Sequence, residues 1–158
     1  EKCHKLLPDD GRMMLHTIVQ YNRHKIREMG LPINRQLLEF AIFINQEIFP
    51  GGQLPEPEWV TAGAEEAGFT VEKIQPLQPH YARTLWCWAD RLEAQADAAR
   101  AEVGEERFRV WRIYLAGAAH AFDRGWLSVF QVLAGKAGAD GRLVHPATRE
   151  YMYQRATD

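Results

Sequence analysis

The sequence has 158 residues, 46% hydrophobic and 25% charged, as expected of one soluble globular domain. A net charge of −2 argues against a nucleic-acid partner, because binding a phosphate backbone takes a concentrated basic surface. Cys3 and Cys87 are too few for a disulfide framework and favour a reducing compartment, and no apolar run reaches the about 20 residues that span a bilayer.

Residues 1–7 read as the end of a helix running into the turn Pro8-Asp9-Asp10-Gly11. The chain starts with Glu1, without Met and without a signal peptide, so a portion upstream is expected. Arg12 to Gln20 is mostly apolar and reads as a buried strand, the pattern of a parallel sheet interior. Residues 22–30 form a short basic helix ending at Gly30. Asn34 is placed to cap a further helix whose apolar residues, Leu37 to Phe49, occupy most of its circumference. Such a helix has to be covered by protein or by lipid, and Pro50-Gly51-Gly52 breaks it.

A helix over 57–67 stops at Gly68, and Phe69 to Leu77 reads as a second strand. A long helix is predicted from Pro79 to Ala101, with Tyr81, Leu85, Trp88 and Leu92 along one face. Gly104 ends it. Residues 105–123 repeat the stripe with Phe108, Trp111, Leu115, Ala118 and Phe122. Trp126 to Ala134 reads as a third strand, and the tail from Lys136 carries a weak helix near 146–155. Strands alternating with helices indicate an α/β layered fold. Three strands are few for this many helices, so further strands are expected upstream.

Several chemistries lack their motifs. No glycine-rich turn leads from a strand into a helix, and there is neither a Cys-x-x-Cys nor a His-Glu-x-x-His, so no metal site is expected. The only serine, Ser128, lies inside a predicted strand without a nucleophile elbow.

Three stretches carry a family resemblance: Leu15-His16-Thr17-Ile18, Glu47 to Pro55 (EIFPGGQLP), and Pro79-His80-Tyr81-Ala82-Arg83-Thr84-Leu85. They resemble the cyclopropane-fatty-acyl-phospholipid synthases, and the long segment from Tyr21 to Phe49 is most similar to the mycolic acid cyclopropane synthase branch. Weaker matches are Glu105-Glu106-Arg107-Phe108, Tyr114-Leu115-Ala116-Gly117 and Gly125-Trp126, and the resemblance covers roughly residues 1–136.

The resemblance implies the carboxyl-terminal portion of a class I S-adenosylmethionine-dependent methyltransferase. This is a Rossmann-like mixed sheet, its last strand antiparallel to the others, under a helical acyl-binding cap. The cap is expected at about 21–52, a helical hairpin at about 79–123, and a tail from 137 to 158. In this family S-adenosylmethionine methylates a cis double bond of an acyl chain. The resulting carbocation then loses a proton to a bound bicarbonate, and a cyclopropane ring closes. The bicarbonate pocket maps by resemblance onto His16, Ile18 and Tyr81, with its glutamate and cysteine expected before residue 1, as is the cofactor-binding loop. Phe49, Leu54 and Leu85 are the expected acyl contacts. The implied partner is an unsaturated acyl lipid or acyl carrier. The expected location is cytoplasmic; the basic segment 23–27 reads as a solvated face, with contact to anionic lipid head groups at the inner face of the membrane as the functional alternative.

The residues themselves are compatible with these roles. Imidazole, phenol and main-chain N–H groups all donate to a small oxyanion, and aromatic faces such as those of Phe49 and Tyr81 stabilise a cation. They also have plain readings, with His16 as a core histidine, Tyr81 as a helix-face aromatic, and Phe49 and Leu85 as packing. His16 is expected near the end of its strand, where catalytic groups of open α/β sheets cluster. Two alternatives stand beside ring closure. One is methyl branching by the same chemistry, and the other is a non-catalytic fragment that keeps a lipid-binding cap. The fragment would expose a sheet edge and an apolar face, which predicts poor solubility or a homodimer.

Overall fold

In the computed structural model, residues 1–138, 140–143 and 148 are described; the tail helix expected near 146–155 lies outside them. A short helix α1 (Lys2–Leu6) leads through the turn at Gly11, whose N–H donates to the Pro8 carbonyl at 3.0 Å, into strand β1 (Arg12–Gln20). The cap follows as α2 (Arg23–Glu28) and α3 (Arg35–Phe43), the latter continued by a π-helical turn, Ile44–Ile48. Then come α4 (Pro57–Glu66), β2 (Phe69–Pro76), α5 (Gln78–Ala94), α6 (Ala96–Asp123) and β3 (Leu127–Lys136).

The sheet order is β1-β3-β2, with β3 antiparallel to both neighbours. The last strand thus enters between the first two, which run parallel to each other. β3 is buried along most of its length because both its faces are covered. Side chains alternate across a strand. Val129 faces Leu85, Leu115, Ala118, Ala119 and Phe122 of α5 and α6, while Phe130, Val132 and Ala134 face α4 through Val60 and Ala64. The result is a sheet between two helical layers.

Four expectations change. β1 is not a buried strand: only Val19 is buried, whereas Met14, Leu15 and Ile18 are exposed. The apolar run predicted cover on both sides, but among the described residues β1 pairs only with β3 and its other edge is open. The helix expected over 79–101 divides at Gln95, and the chain turns again at Gly104, where φ 80° and ψ 162° leave the helical region. That conformation favours glycine, so the reversal sits where the sequence put it. Within the two aromatic stripes, Leu85, Phe108, Leu115, Ala118 and Phe122 are buried, but Trp88 (48% exposed) and Trp111 (44%) stay open to solvent, lining a shallow hollow between the two arms with Leu92. Finally, β3 runs two residues past Ala134, because the Lys136 N–H donates to the Gly11 carbonyl at 2.8 Å and Lys136 pairs with Phe69.

The cap is built from local signals. Asn22 accepts a hydrogen bond from the Lys25 N–H at 2.8 Å and Asn34 from the Leu37 N–H at 2.9 Å, which caps α2 and α3. After Pro50 the chain reverses through Gly51, at φ 72°, and returns to the end of β1. There the Gln20 N–H donates to the Pro55 carbonyl at 3.1 Å and the Asn22 amide to Glu56 at 2.7 Å. The cap docks on α6 by placing the Phe40 ring over Gly117, where a Cβ would overlap the ring. Gly117→Ala raises helix propensity yet is expected to destabilise the protein by about 1–3 kcal/mol through overpacking. Urea unfolding measures this, and Phe40→Ala in the same chain should remove most of the added cost.

Candidate active site

His16 lies opposite Gln131 in the register, on the sheet face that carries Val129 and meets α5. It sits at the middle of β1 and not near its end. Tyr81 reaches the same face from the first turn of α5. That turn is fixed by the Leu77 N–H donating to the Val129 carbonyl at 2.7 Å and by the Gln78 amide donating to the Phe122 carbonyl at 2.6 Å. The Tyr81 ring rests on Phe122, with centroids 5.9 Å apart.

His16 Nε2 and the Tyr81 hydroxyl share a hydrogen bond of 2.8 Å across 65 residues of sequence. Ile18, two residues further along β1, faces the same way opposite Val129. His16 is exposed and the Tyr81 ring half-buried, so the pair is reached from solvent at the margin of the helix-covered face. Imidazole and phenol each offer a donor or acceptor at this point, which suits a small oxyanion or a proton in transit.

Phe49 and Leu54 line a neighbouring cleft of about 370 Å³ beneath the cap, within the size range of small-molecule sites. Its wall is mostly apolar: Leu37, Phe40, Ala41 and Ile44 from the cap meet Ala121, Trp126 and Leu127 from the α6–β3 junction. His16, Ile18 and Tyr81 do not line it. Leu85 is not on this wall either. It packs in the core with Ala82, Leu115 and Val129.

Two phenols shape the electrostatics. Burial raises the pKa of Tyr21, on the cleft wall, and the Glu58 carboxylate raises it further. Burial likewise raises Tyr114, whose ring meets Phe49 edge-on at 6.0 Å. Both stay neutral O–H groups at neutral pH. Tyr21, Arg23, Phe40 and Trp126 were not read from sequence as cleft residues. The apolar residues from Leu37 to Phe49, spread over most of the helix circumference, signalled that the helix needs cover but not which residues would face a cleft.

No group of three or more His, Cys, Asp or Glu side chains among the described residues is arranged to hold a metal ion, and no described helix is long and apolar enough to cross a membrane.

The antiparallel last strand inserted between two parallel ones, with helices on both faces, defines part of a Rossmann-like S-adenosylmethionine-dependent methyltransferase fold. The match is specific, since a model of the mycolic acid cyclopropane synthetase family covers residues 1–132, and the chain belongs to that family. It is 47% identical over 131 residues to the S-adenosylmethionine-dependent methyltransferase UmaA of Mycobacterium tuberculosis, covering 83% of this chain and 46% of that protein. The solved structure of the cyclopropane synthase MmaA2 from Mycobacterium tuberculosis superposes with a TM-score of 0.82 at 42% identity, covering 85% of this chain and 47% of that one. That of the mycolic acid cyclopropane synthase CmaA1 complexed with SAH and CTAB gives 0.79 at 44% identity, covering 84% and 47%. The chain thus spans about half the length of the relatives it matches.

Proposed function

We propose that this chain supplies the acyl-handling part of an enzyme that transfers a methyl group from S-adenosylmethionine to a cis double bond of an unsaturated acyl lipid. The observation that supports this most is the solvent-accessible His16–Tyr81 pair, joined at 2.8 Å near an apolar cleft. The kinship with methyltransferases and cyclopropane synthases supplies the reaction class.

S-adenosylmethionine brings the reactive methyl group. None of the described residues forms a glycine-rich turn from a strand into a helix that would hold it, so its site is assigned to the rest of the enzyme. In this reading His16, Tyr81 and the Ile18 main chain hold a bicarbonate ion as the base, the hydrogen bond between imidazole and phenol giving way so that each donates to the oxyanion. Phe49 and Leu54 contact the acyl chain from the cleft, and Leu85 acts through the core by backing the helix that carries Tyr81. Residues 21–52 form the cap over that chain, and 79–123 the hairpin behind it. The proposed setting is the cytoplasm, at the inner face of the membrane. There Lys25 and Arg27 of α2 meet anionic lipid, at about 1 kcal/mol for each basic residue near the surface.

The test is incorporation of label from radiolabelled S-adenosylmethionine into unsaturated phospholipid. It is run on this chain and on a fusion that restores the cofactor-binding half from a relative. Label transferred by the fusion alone is the expected result, and product mass then separates ring closure from methyl branching. A soluble, folded fusion that transfers nothing would overturn the enzymatic reading. Transfer by the chain alone would overturn the assignment of the cofactor site.

A further inference from the structure

The candidate site takes His16 and Ile18 from β1 and Tyr81 from α5. Both elements are held by β3. It pairs with β1 along its length, and its Val129 carbonyl accepts the Leu77 N–H at 2.7 Å, at the start of the helix that carries Tyr81. Two residues beyond Val129, on the same face of the sheet, is Gln131, directly opposite His16 in the register. Directly opposed residues of an antiparallel pair have Cβ atoms about 4.5–5.5 Å apart, so the Gln131 amide and the His16 imidazole are within reach of one small ligand.

Gln131 stands apart from the other glutamines. Among the described residues, two glutamines are not exposed, Gln78 and Gln131. Gln78 donates to the Phe122 carbonyl at 2.6 Å, which secures the turn into α5. The Gln131 amide has no hydrogen-bond partner among the described residues. The rest of its row on β3 is apolar: Leu127, Val129, Leu133 and Gly135. An amide withdrawn from water without a partner costs free energy that an apolar side chain at the same position would not. Its place across from the imidazole, on the strand that also anchors α5, gives that cost a function if a ligand supplies the partner.

We propose that Gln131 is a fourth contact of the oxyanion site, its amide N–H donating to an oxygen of the bicarbonate ion that His16, Tyr81 and the Ile18 main chain hold. This rests on the bicarbonate reading above and adds to it a residue of the central strand. The amide does not titrate, so it binds and orients the ion and moves no proton. With donors from β1, β3 and α5, the ion is gripped by three elements whose mutual positions the sheet and the α5 anchor fix.

The experiment uses the fusion that restores the cofactor-binding half, in carbonate-free buffer at fixed pH, and reads bicarbonate in two ways. The His16 imidazole signals, assigned through His16→Gln, are followed by NMR as sodium bicarbonate is added, with sodium chloride at equal ionic strength as the control. Label transfer from S-adenosylmethionine is measured over the same concentrations. Gln131→Leu removes the amide, whereas Gln131→Glu keeps its shape and replaces the donor with a carboxylate, so a loss shared by both is not a loss of packing. Circular dichroism establishes that each variant is folded. The half-saturating bicarbonate concentration is expected to rise about tenfold in Gln131→Leu by both readouts, the scale of one hydrogen bond to an ion, and further in Gln131→Glu, with KM for S-adenosylmethionine unchanged. Half-saturation that stays at the wild-type value in both variants overturns the role of Gln131 and leaves the bicarbonate reading standing. So does a rate that falls equally at every bicarbonate concentration, which marks the amide as structural. A wild-type fusion whose His16 signals and rate both ignore bicarbonate overturns the bicarbonate reading and this inference with it.

Discussion

Tyr81→Phe is expected to lower methyl transfer by the restored enzyme by about 10²-fold, the scale on which a positioned proton-handling group acts. The substitution removes only the hydroxyl bonded to His16 Nε2 at 2.8 Å, and the ring can still rest on Phe122. His16→Gln should cost a similar factor. The double variant should lose little more than either single one, because groups acting as a unit are strongly non-additive. Single-turnover measurements at saturating S-adenosylmethionine isolate the effect from cofactor binding. Stability should barely move, since a single hydrogen bond contributes about 0.5–1.5 kcal/mol net and this one is exposed. A Tyr81→Phe enzyme with an unchanged rate would remove the pair from the mechanism.

Phe108→Ala carries the largest expected effect on stability, a loss of about 3–5 kcal/mol, the cost of emptying a buried aromatic site. Phe108 is fully buried in α6, four residues past the reversal at Gly104. The Arg100 guanidinium lies 4.3 Å above its ring and Arg112 approaches from 5.7 Å. Arg100 also bonds Glu105 at 2.8 Å across the bend, and Arg112 pairs with Glu93 of α5. One ring therefore anchors both the bend and the contact between the hairpin's arms. Urea unfolding should show a lower midpoint at an unchanged slope, the signature of lost stability without a change in surface exposed. Trp111→Ala, three residues on but 44% exposed, is the control and should cost far less.

Much of what depends on residues close in sequence was legible, the break at Gln95 excepted. Asn34 announced a helix start, Gly30, Gly51 and Gly104 marked breaks that the structure places at positive φ, and the alternation of strands and helices defined the α/β class. These are short-range effects of side chains on their own backbone, complete within a few residues. The order of three motifs was enough to indicate the family, and the match over residues 1–132 agrees.

The tertiary structure decided everything that depends on distant partners. The apolar run of β1 is the same whether its neighbours are present or absent, so composition alone assigned it to an interior that the described sheet leaves open on one side. Trp88 falls on the helix stripe of Leu85, yet only Leu85 meets the sheet, because the break at Gln95 and the reversal at Gly104 set where α6 lies. Gly117 reads as a weak point in a helix until Phe40, brought over by the cap, occupies the space of its missing side chain. His16 and Tyr81 meet across 65 residues only because β3 inserts between β1 and β2 and presents the start of α5 to the same face. The sequence by itself determined the elements, their caps and the kinship. The resemblance put His16 and Tyr81 in one pocket, but strand order, their direct hydrogen bond and the lining of the cleft required the folded chain, because each is a contact between segments whose spacing in sequence carries no distance in space.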